Sequence, residues 1–162
     1  MLDFPNSPSI GEVFNGHRSS WVWDGVKWDV ASAHPRYIVA CFVPDKLTAN
    51  QSLLLHRFSK AVTFPIDFGD YLGHSSEMRG GLIATASVTV LIRQATEAVP
   101  GVFTTVASGT VAAGQLLGTL TTSGVPLNFA EGDTLAIVGP AVVDDTFGDF
   151  ACTLTGFESS MP

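Results

Sequence analysis

Residues 74–77 read His-Ser-Ser-Glu, which places a potential base, two hydroxyl nucleophiles and an acid side by side. Such groups catalyse acyl transfer when the base is held against the hydroxyl, and that arrangement is defined by three-dimensional geometry rather than by adjacency in sequence. The segment also lacks the strand, Gly-x-Ser-x-Gly turn and helix that expose the nucleophile of many hydrolases. We therefore predict a polar loop, no catalytic residue and no enzymatic activity; an esterase is the last-ranked alternative.

Two groups of aspartates carry the oxygen ligands that calcium prefers. They are Asp67 with Asp70, and Asp144 with Asp145 and Asp149. Neither group has the full spacing of a calcium loop, and aspartate is common in turns because its carboxylate bonds to nearby backbone. The four histidines show no metal-ligand spacing, and no glycine-rich phosphate motif opens a helix. The sequence predicts neither a resident metal nor a cofactor, with calcium as the weaker alternative.

The composition restricts the partners that such a chain can have. The 162 residues carry a net charge of −7, which argues against nucleic acid as the main partner. The longest apolar runs are far below the ~18 residues of a spanning helix, so we expect no membrane segment, and we expect no secretory signal at the amino terminus. Charged residues make up 14% of the chain, against ~25% in ordinary soluble domains. This scarcity predicts surface that becomes buried in an assembly.

The most distinctive element is the stretch 21–28, Trp-Val-Trp-Asp-Gly-Val-Lys-Trp. An Asp-Gly pair between two alternating apolar arms predicts a hairpin with a two-residue type I′ turn. The predicted cross-strand pairs are Trp23 with Val26, Val22 with Lys27, and Trp21 with Trp28. Because side chains alternate between faces, all three tryptophans of the protein fall on one side of the hairpin.

A bare face of three tryptophans would expose roughly 450–750 Å², as much as or more than the ~300–600 Å² of the largest apolar patch on a typical monomer. Something must therefore cover it. The lead-in before the hairpin is broken by prolines and glycines and offers two apolar anchors, Phe4 and Phe14. We predict a docking surface made of Phe4, Phe14, Trp21, Trp23 and Trp28, on a module of residues 1–34 that ends in a linker.

Residues 35–162 are predicted to form an antiparallel β-sandwich, most simply a jelly roll, because about eight short strands follow one another with turns every 8–12 residues. The first strand is expected at 37–43, and the clearest alternation runs from 82 to 93. Two long loops, 65–81 and 139–148, are of a length that is usually functional or mobile. The first of them carries Phe68, Tyr71 and His74, which would contact a glycan if the protein bound carbohydrate.

Two predicted strands are apolar on both sides. They are residues 37–43 and the segment with Leu53-Leu54-Leu55. A sandwich buries only the inner face of each sheet, so the outer apolar side chains need a second cover. Symmetric homo-oligomers provide one by reusing a single patch. We predict a closed homo-oligomer in which Leu53 or Leu55 contacts a neighbouring copy.

The first 30 residues resemble a short module near the amino terminus of many virion proteins of tailed bacteriophages. The residues that carry the resemblance are Phe4-Pro5-Asn6-Ser7-Pro8, Gly11, Phe14 and the stretch from Trp21 to Trp28. The module reads F-P-x-x-P-x-x-G, an aromatic residue, then W-x-W-D-G-x-K-W. The rest of the chain is more loosely similar to the β-sandwich domains that follow such modules in tail fibres, minor tail proteins and head appendages.

The resemblance implies a non-enzymatic structural component of a virion, assembled in the host cytoplasm, with other virion proteins as partners. It leaves open a tail or a capsid position, and it favours a homotrimer, since short phage fibres are commonly trimers. The alternative is a carbohydrate-binding β-sandwich that recognises a host-surface glycan through Phe68, Tyr71, His74 or the tryptophans.

The two cysteines, Cys41 and Cys152, are too few and too far apart in sequence for a disulfide scaffold or a zinc site. Both fall on predicted apolar strands, so we expect buried free thiols. Assembly in a reducing cytosol, which the resemblance implies, predicts that they are reduced. A jelly roll is able to place its first and last strands side by side, so a bridge between them is geometrically allowed.

Overall fold

The computed structural model describes residues 4–16, 19–30, 35–71 and 74–159. These ranges contain thirteen β-strands, all paired antiparallel, and a single 3-10 turn at Ile66–Phe68. The all-β prediction is confirmed. Within the described ranges, no segment forms a helix long and apolar enough to cross a membrane.

A three-stranded sheet comes first, which we call the amino-terminal sheet. Its strands, in the order β1-β2-β3, are β1 Val13–Gly16, β2 Ser19–Trp23 and β3 Trp28–Val30. The predicted hairpin corresponds to β2 and β3. Strand β1 was not predicted, because four residues between Gly11 and Gly16 show no clear alternation. Of the linker predicted at 31–35, residues 31–34 lie outside the described residues.

The predicted register of the hairpin is wrong by two residues. Trp23 pairs with Trp28, and a four-residue loop, 24–27, replaces the two-residue turn. The Asp24 carboxylate accepts hydrogen bonds from the backbone N–H groups of Val26 and Lys27, both at 2.7 Å. This Asx-type turn needs positive φ at Gly25 alone (φ 105°). A slip of two residues keeps every side chain on its face, so the three tryptophans still share one.

The remaining ten strands form the body. They are β4 Arg36–Lys46, β5 Ser52–Arg57, β6 Val62–Phe64, β7 Glu77–Arg79, β8 Val88–Ala95, β9 Thr104–Val111, β10 Leu117–Thr122, β11 Leu127–Phe129, β12 Thr134–Val138 and β13 Gly148–Glu158. One layer has the order β4-β13-β7-β10 and the other β5-β12-β8-β9, and the β9–β10 pairing joins them. The short strands β6 and β11 pair beside the end of β13. This is the strand order of a jelly roll, as predicted.

The core lies between the two layers. One layer contributes Val39, Met78, Phe150 and Leu154, and the other contributes Val90, Ile92, Leu135 and Ile137. The Met78 side chain packs directly over Gly109 of β9. A Cβ at Gly109 would lie 2.5 Å from the Met78 sulfur, so the glycine leaves room for the methionine. The first and last body strands, β4 and β13, are neighbours over nearly their whole length.

Two predicted strand limits need correction. β4 does not end at residue 43 but continues through Pro44 to Lys46. A proline is tolerated there because β4 is an edge strand, paired with β13 alone among the described strands. The alternating segment 82–93 becomes a strand only from Val88. Residues 85 and 86 are instead held in a loop by the Asp144 carboxylate, which accepts bonds from the Thr85 hydroxyl and the Ala86 N–H.

Candidate docking surface

One face of the amino-terminal sheet is sealed against the body. Val22, on β2, is 0% exposed and packs with Tyr71 and Phe157, with Ile10 at the edge of the contact. The rings of Tyr71 and Phe157 are stacked, with centroids 4.8 Å apart and planes at 25°. The contact unites residues 22, 71 and 157 and so fixes the sheet to one end of the body.

Gly11 allows the segment before β1 to pack closely against Pro65 and Phe157 of the body. It is buried with φ +85°, and a Cβ there would meet the Pro65 ring at 3.4 Å and the Phe157 ring at 3.5 Å. Its N–H donates to the Trp23 carbonyl at 2.8 Å, and the Trp23 N–H donates to the Glu12 carbonyl at 3.0 Å. The glycine of the F-P-x-x-P-x-x-G pattern therefore serves both the turn and the close approach to the body.

The opposite face carries five aromatic rings, which we call the aromatic face: Phe4, Phe14, Trp21, Trp23 and Trp28. Phe4 stacks on Trp28 with centroids 5.2 Å apart and planes at 17°, and it meets Trp21 edge-on at 5.6 Å. Trp23 lies 5.7 Å from Trp28. Phe14 lies 4.9 Å from Phe4 and 6.2 Å from Trp28, so both phenylalanines before the hairpin pack with the tryptophans.

The mutual packing of these rings does not bury them. All five side chains are only partly covered. Their contacts with one another leave a preassembled apolar surface on the side of the sheet that faces away from Val22. Aromatic side chains are enriched at the cores of protein interfaces, because each offers a large rigid area at low cost in conformational entropy. The arrangement is suited to binding an apolar surface of another protein.

The predicted glycan-contact residues are mostly inaccessible. Phe68 packs into the body core, 5.8 Å from the Phe64 ring, and Tyr71 is buried under the amino-terminal sheet. The prediction is therefore wrong for Phe68 and Tyr71, and only His74 is exposed. Burial raises the pKa of Tyr71 to about 12. Its role in sealing the amino-terminal sheet was missed, because nothing local in the sequence pairs residue 71 with residue 22.

The segment 74–77 has structural contacts. The Ser76 hydroxyl accepts a hydrogen bond from the backbone N–H of Thr155 at 2.8 Å, and so binds the last strand rather than His74. The backbone of His74 exchanges hydrogen bonds with that of Tyr71, at 3.1 Å each. Glu77 opens β7 and lies 3.8 Å from the Arg79 guanidinium. These contacts hold the loop against the body.

Three of the five aspartates considered for calcium are also bound within the protein. Asp67 accepts from the Thr122 N–H at 2.7 Å, and Asp149 accepts from the Asp45 N–H at 3.0 Å. Hydrogen bonds from the Thr146 hydroxyl and the Ala86 N–H hold the pKa of Asp144 well below its usual range. Across the described part of the chain, no three His, Cys, Asp or Glu residues are grouped so as to hold a metal ion.

The outer faces of the body carry exposed apolar side chains. Leu55 is 65% exposed on β5, an edge strand, whereas Leu53 is half-buried and packs against the core. A bulge explains the difference: Leu54 pairs with Ile137 but Ser52 with Val138, so Leu53 lies between the two pairs. Leu53 is therefore a poor candidate for a contact with another copy, and Leu55 a good one. On the other layer, Phe42 of β4 is 64% exposed.

At the end of the body away from the amino-terminal sheet, four loops meet: 47–51, 80–87, 112–116 and 139–147. Backbone bonds tie them together, from Gly114 to Ala84 and from Asn50 to Pro140, both at 2.9 Å. We call this region the apolar loop end, because its exposed side chains include Leu82, Ile83, Val142 and Val143. Its charged residues are two aspartates, Asp144 and Asp145.

No protein-family model matches this chain, and no curated protein matches it.

Proposed function

We propose that the protein is a non-enzymatic structural subunit of a tailed-bacteriophage virion, assembled in the host cytoplasm, which docks through its aromatic face. The main support for the proposal is the difference between the two faces of the amino-terminal sheet. The Val22 face is buried against the protein's own body, while the five rings of the other face stay partly uncovered. A surface of this kind is expected where another virion protein binds.

The attachment to the body makes the aromatic face an effective anchor. Because Val22 is sealed on Tyr71 and Phe157, a protein that binds the rings also holds the jelly roll in a fixed orientation. The rings are already packed on one another, so little conformational freedom is left to lose on docking.

Strand β13 relates the position of the amino-terminal sheet to that of the apolar loop end. Strand β13 runs from Gly148, whose carbonyl accepts from Gly81 of the apolar loop end at 2.9 Å, to the region of Phe157 beneath the amino-terminal sheet. Nine steps along a strand span about 30 Å. The docked end and the apolar loop end therefore lie on opposite sides of the body, as a short appendage with a fixed base and a free tip requires.

Copies of the chain would associate through the outer faces of the body. The exposed Leu55 and Phe42 lie on different layers, and each is an apolar side chain on an edge strand. Edge strands with such side chains invite pairing unless something covers them. A closed homo-oligomer would cover them, and the resemblance favours a trimer.

The test is quantitative mass spectrometry of particles purified from the phage that encodes the chain. We expect the protein in a fixed number of copies per particle. Trp23→Ser should remove it from the particles, whereas Val26→Ser should not, since Val26 is 83% exposed in the turn between β2 and β3 and is not one of the five residues of the aromatic face. Absence of the wild-type protein from particles, together with micromolar glycan binding by the free protein, would favour the carbohydrate-binding alternative.

A further inference from the structure

Cys41 and Cys152 lie directly opposite one another on neighbouring strands. Cys41 is on β4, Cys152 is on β13, and the two are register partners in the antiparallel ladder. Opposed residues in such a ladder have Cα atoms ~4.5–5.5 Å apart, inside the ~4.4–6.8 Å range of disulfides. Both side chains belong to the inner face: Cys152 is 2% exposed, and the half-buried Cys41 packs against the same core. Both are free thiols.

We propose that this thiol pair is a modification site: a low-molecular-weight disulfide, such as oxidised glutathione, converts it into a cross-strand disulfide that ties the first strand of the jelly roll to the last. This goes beyond the proposed function and holds whether or not the protein is part of a virion.

The edge position of β4 makes the bond attainable. Cβ atoms of opposed residues lie ~4.5–5.5 Å apart, slightly farther than the ~3.5–4.5 Å of a disulfide. The strands must therefore approach by a fraction of an ångström or more. Because β4 pairs with β13 alone among the described strands, it can move without breaking a second ladder.

The reaction is a double thiol–disulfide exchange. The Cys41 thiolate attacks one sulfur of oxidised glutathione and releases one glutathione thiolate, which leaves a mixed disulfide on Cys41. The Cys152 thiolate then attacks the Cys41 sulfur and releases the second glutathione. The protein loses two electrons and two protons in total, and the oxidant becomes two thiols.

Exposure favours this order of events. Cys41 is only partly buried on the edge strand, so the oxidant reaches it first. Burial raises the pKa of both thiols, that of Cys152 to about 12, so few thiolates are present at neutral pH and the exchange is slow. The pair therefore stays reduced in a reducing compartment and closes after longer exposure to an oxidising one.

The resulting disulfide would cross-link two residues that are far apart in the sequence. It would close a loop of about 110 residues, and cross-links that close long loops restrict the unfolded chain most. For a chain of this size we expect the oxidised protein to melt roughly 5–15 °C above the reduced protein.

The test treats the folded full-length chain with oxidised glutathione and follows its mass under non-reducing conditions. We expect the loss of two hydrogens and a single cross-linked peptide pair containing Cys41 and Cys152. The Cys152→Ser variant should instead gain one glutathione on Cys41 and react no further. The Cys41→Ser variant should react with oxidised glutathione more slowly than both the wild type and Cys152→Ser.

Three results would overturn the proposal. The first is a folded chain that never loses two hydrogens while the urea-unfolded chain does so under the same oxidant. The second is a wild-type chain that gains glutathione on both thiols without a cross-link. The third is a cross-linked chain whose melting temperature equals or falls below that of the reduced chain.

Discussion

The two faces of the amino-terminal sheet differ in what they bury. On one face a single aliphatic side chain, Val22, is completely buried against Tyr71 and Phe157. On the other face, five aromatic rings pack on one another, and each remains partly uncovered. The face with the smaller apolar area is the one attached to the body.

This difference shows that shape complementarity, rather than apolar area, determines which face of the sheet packs against the body. Val22 and Gly11 are small enough to let two chain segments approach the Phe157 ring closely, and close packing rewards such complementarity. The larger rings contribute most where a separate partner can cover them. Apolar area alone would have predicted the opposite arrangement, with the tryptophans turned inward.

The attachment of the amino-terminal sheet to the body is most sensitive to substitution of Val22. Val22→Asp places an unpaired charge in the sealed contact, and we expect the free energy of unfolding to fall by about 3 kcal/mol or more. Urea denaturation followed by tryptophan fluorescence measures the change. The matched control, Val26→Asp in the exposed turn, should stay within about 0.5 kcal/mol of wild type. Equal effects of the two substitutions would mean that the Val22 face is not attached.

The same contact is expected to respond to alkaline pH through Tyr71. Its pKa is raised from 10.0 to about 12 by burial. The unfolded chain ionises first, so stability is fully present below pH 10 and declines as the pH rises towards 12. Relative to Tyr71→Phe, the wild type should lose at most about 2 kcal/mol over this interval. A tyrosinate absorbance titration of Val22→Asn, which opens the contact without adding a charge, should show the Tyr71 pKa shifted back towards 10; an unchanged pKa would contradict the contact.

The aromatic face should be less important to stability than its size suggests. Because Trp23 is only partly covered, Trp23→Ser should lower the free energy of unfolding by about 1–2 kcal/mol, less than Val22→Asp does. Urea denaturation followed by circular dichroism measures both. A loss for Trp23→Ser as large as that for Val22→Asp would make the aromatic face part of the core rather than a docking surface.

The smallest effect on stability is expected on the outer face of the body. Leu55→Asp should change the free energy of unfolding by no more than about 0.5 kcal/mol, because Leu55 is 65% exposed. It should nevertheless dissociate the proposed homo-oligomer, as sedimentation velocity would show, while the strand content by circular dichroism persists. A wild-type protein that sediments as a stable 17.1 kDa monomer at micromolar concentration would contradict the predicted assembly.

Local patterns predicted the elements but not their long-range contacts. Turn spacing was sufficient for the jelly roll, and alternation was sufficient to place the three tryptophans on one face. The hairpin register was missed because the Asp24 carboxylate replaces a backbone turn. The roles of Tyr71 and Leu53 were missed for other reasons. Tyr71 meets Val22 across 49 residues, and Leu53 depends on a bulge in the β5–β12 pairing.

Hydroxyl-radical footprinting of the free protein and of purified particles tests the docking surface most directly. In the free protein, the indoles of Trp23 and Trp28 should be oxidised readily. In particles, both should be protected several-fold, while Val142, 82% exposed at the apolar loop end, should react equally in the two states. Tryptophans that are as reactive in the particle as in the free protein would contradict docking through the aromatic face.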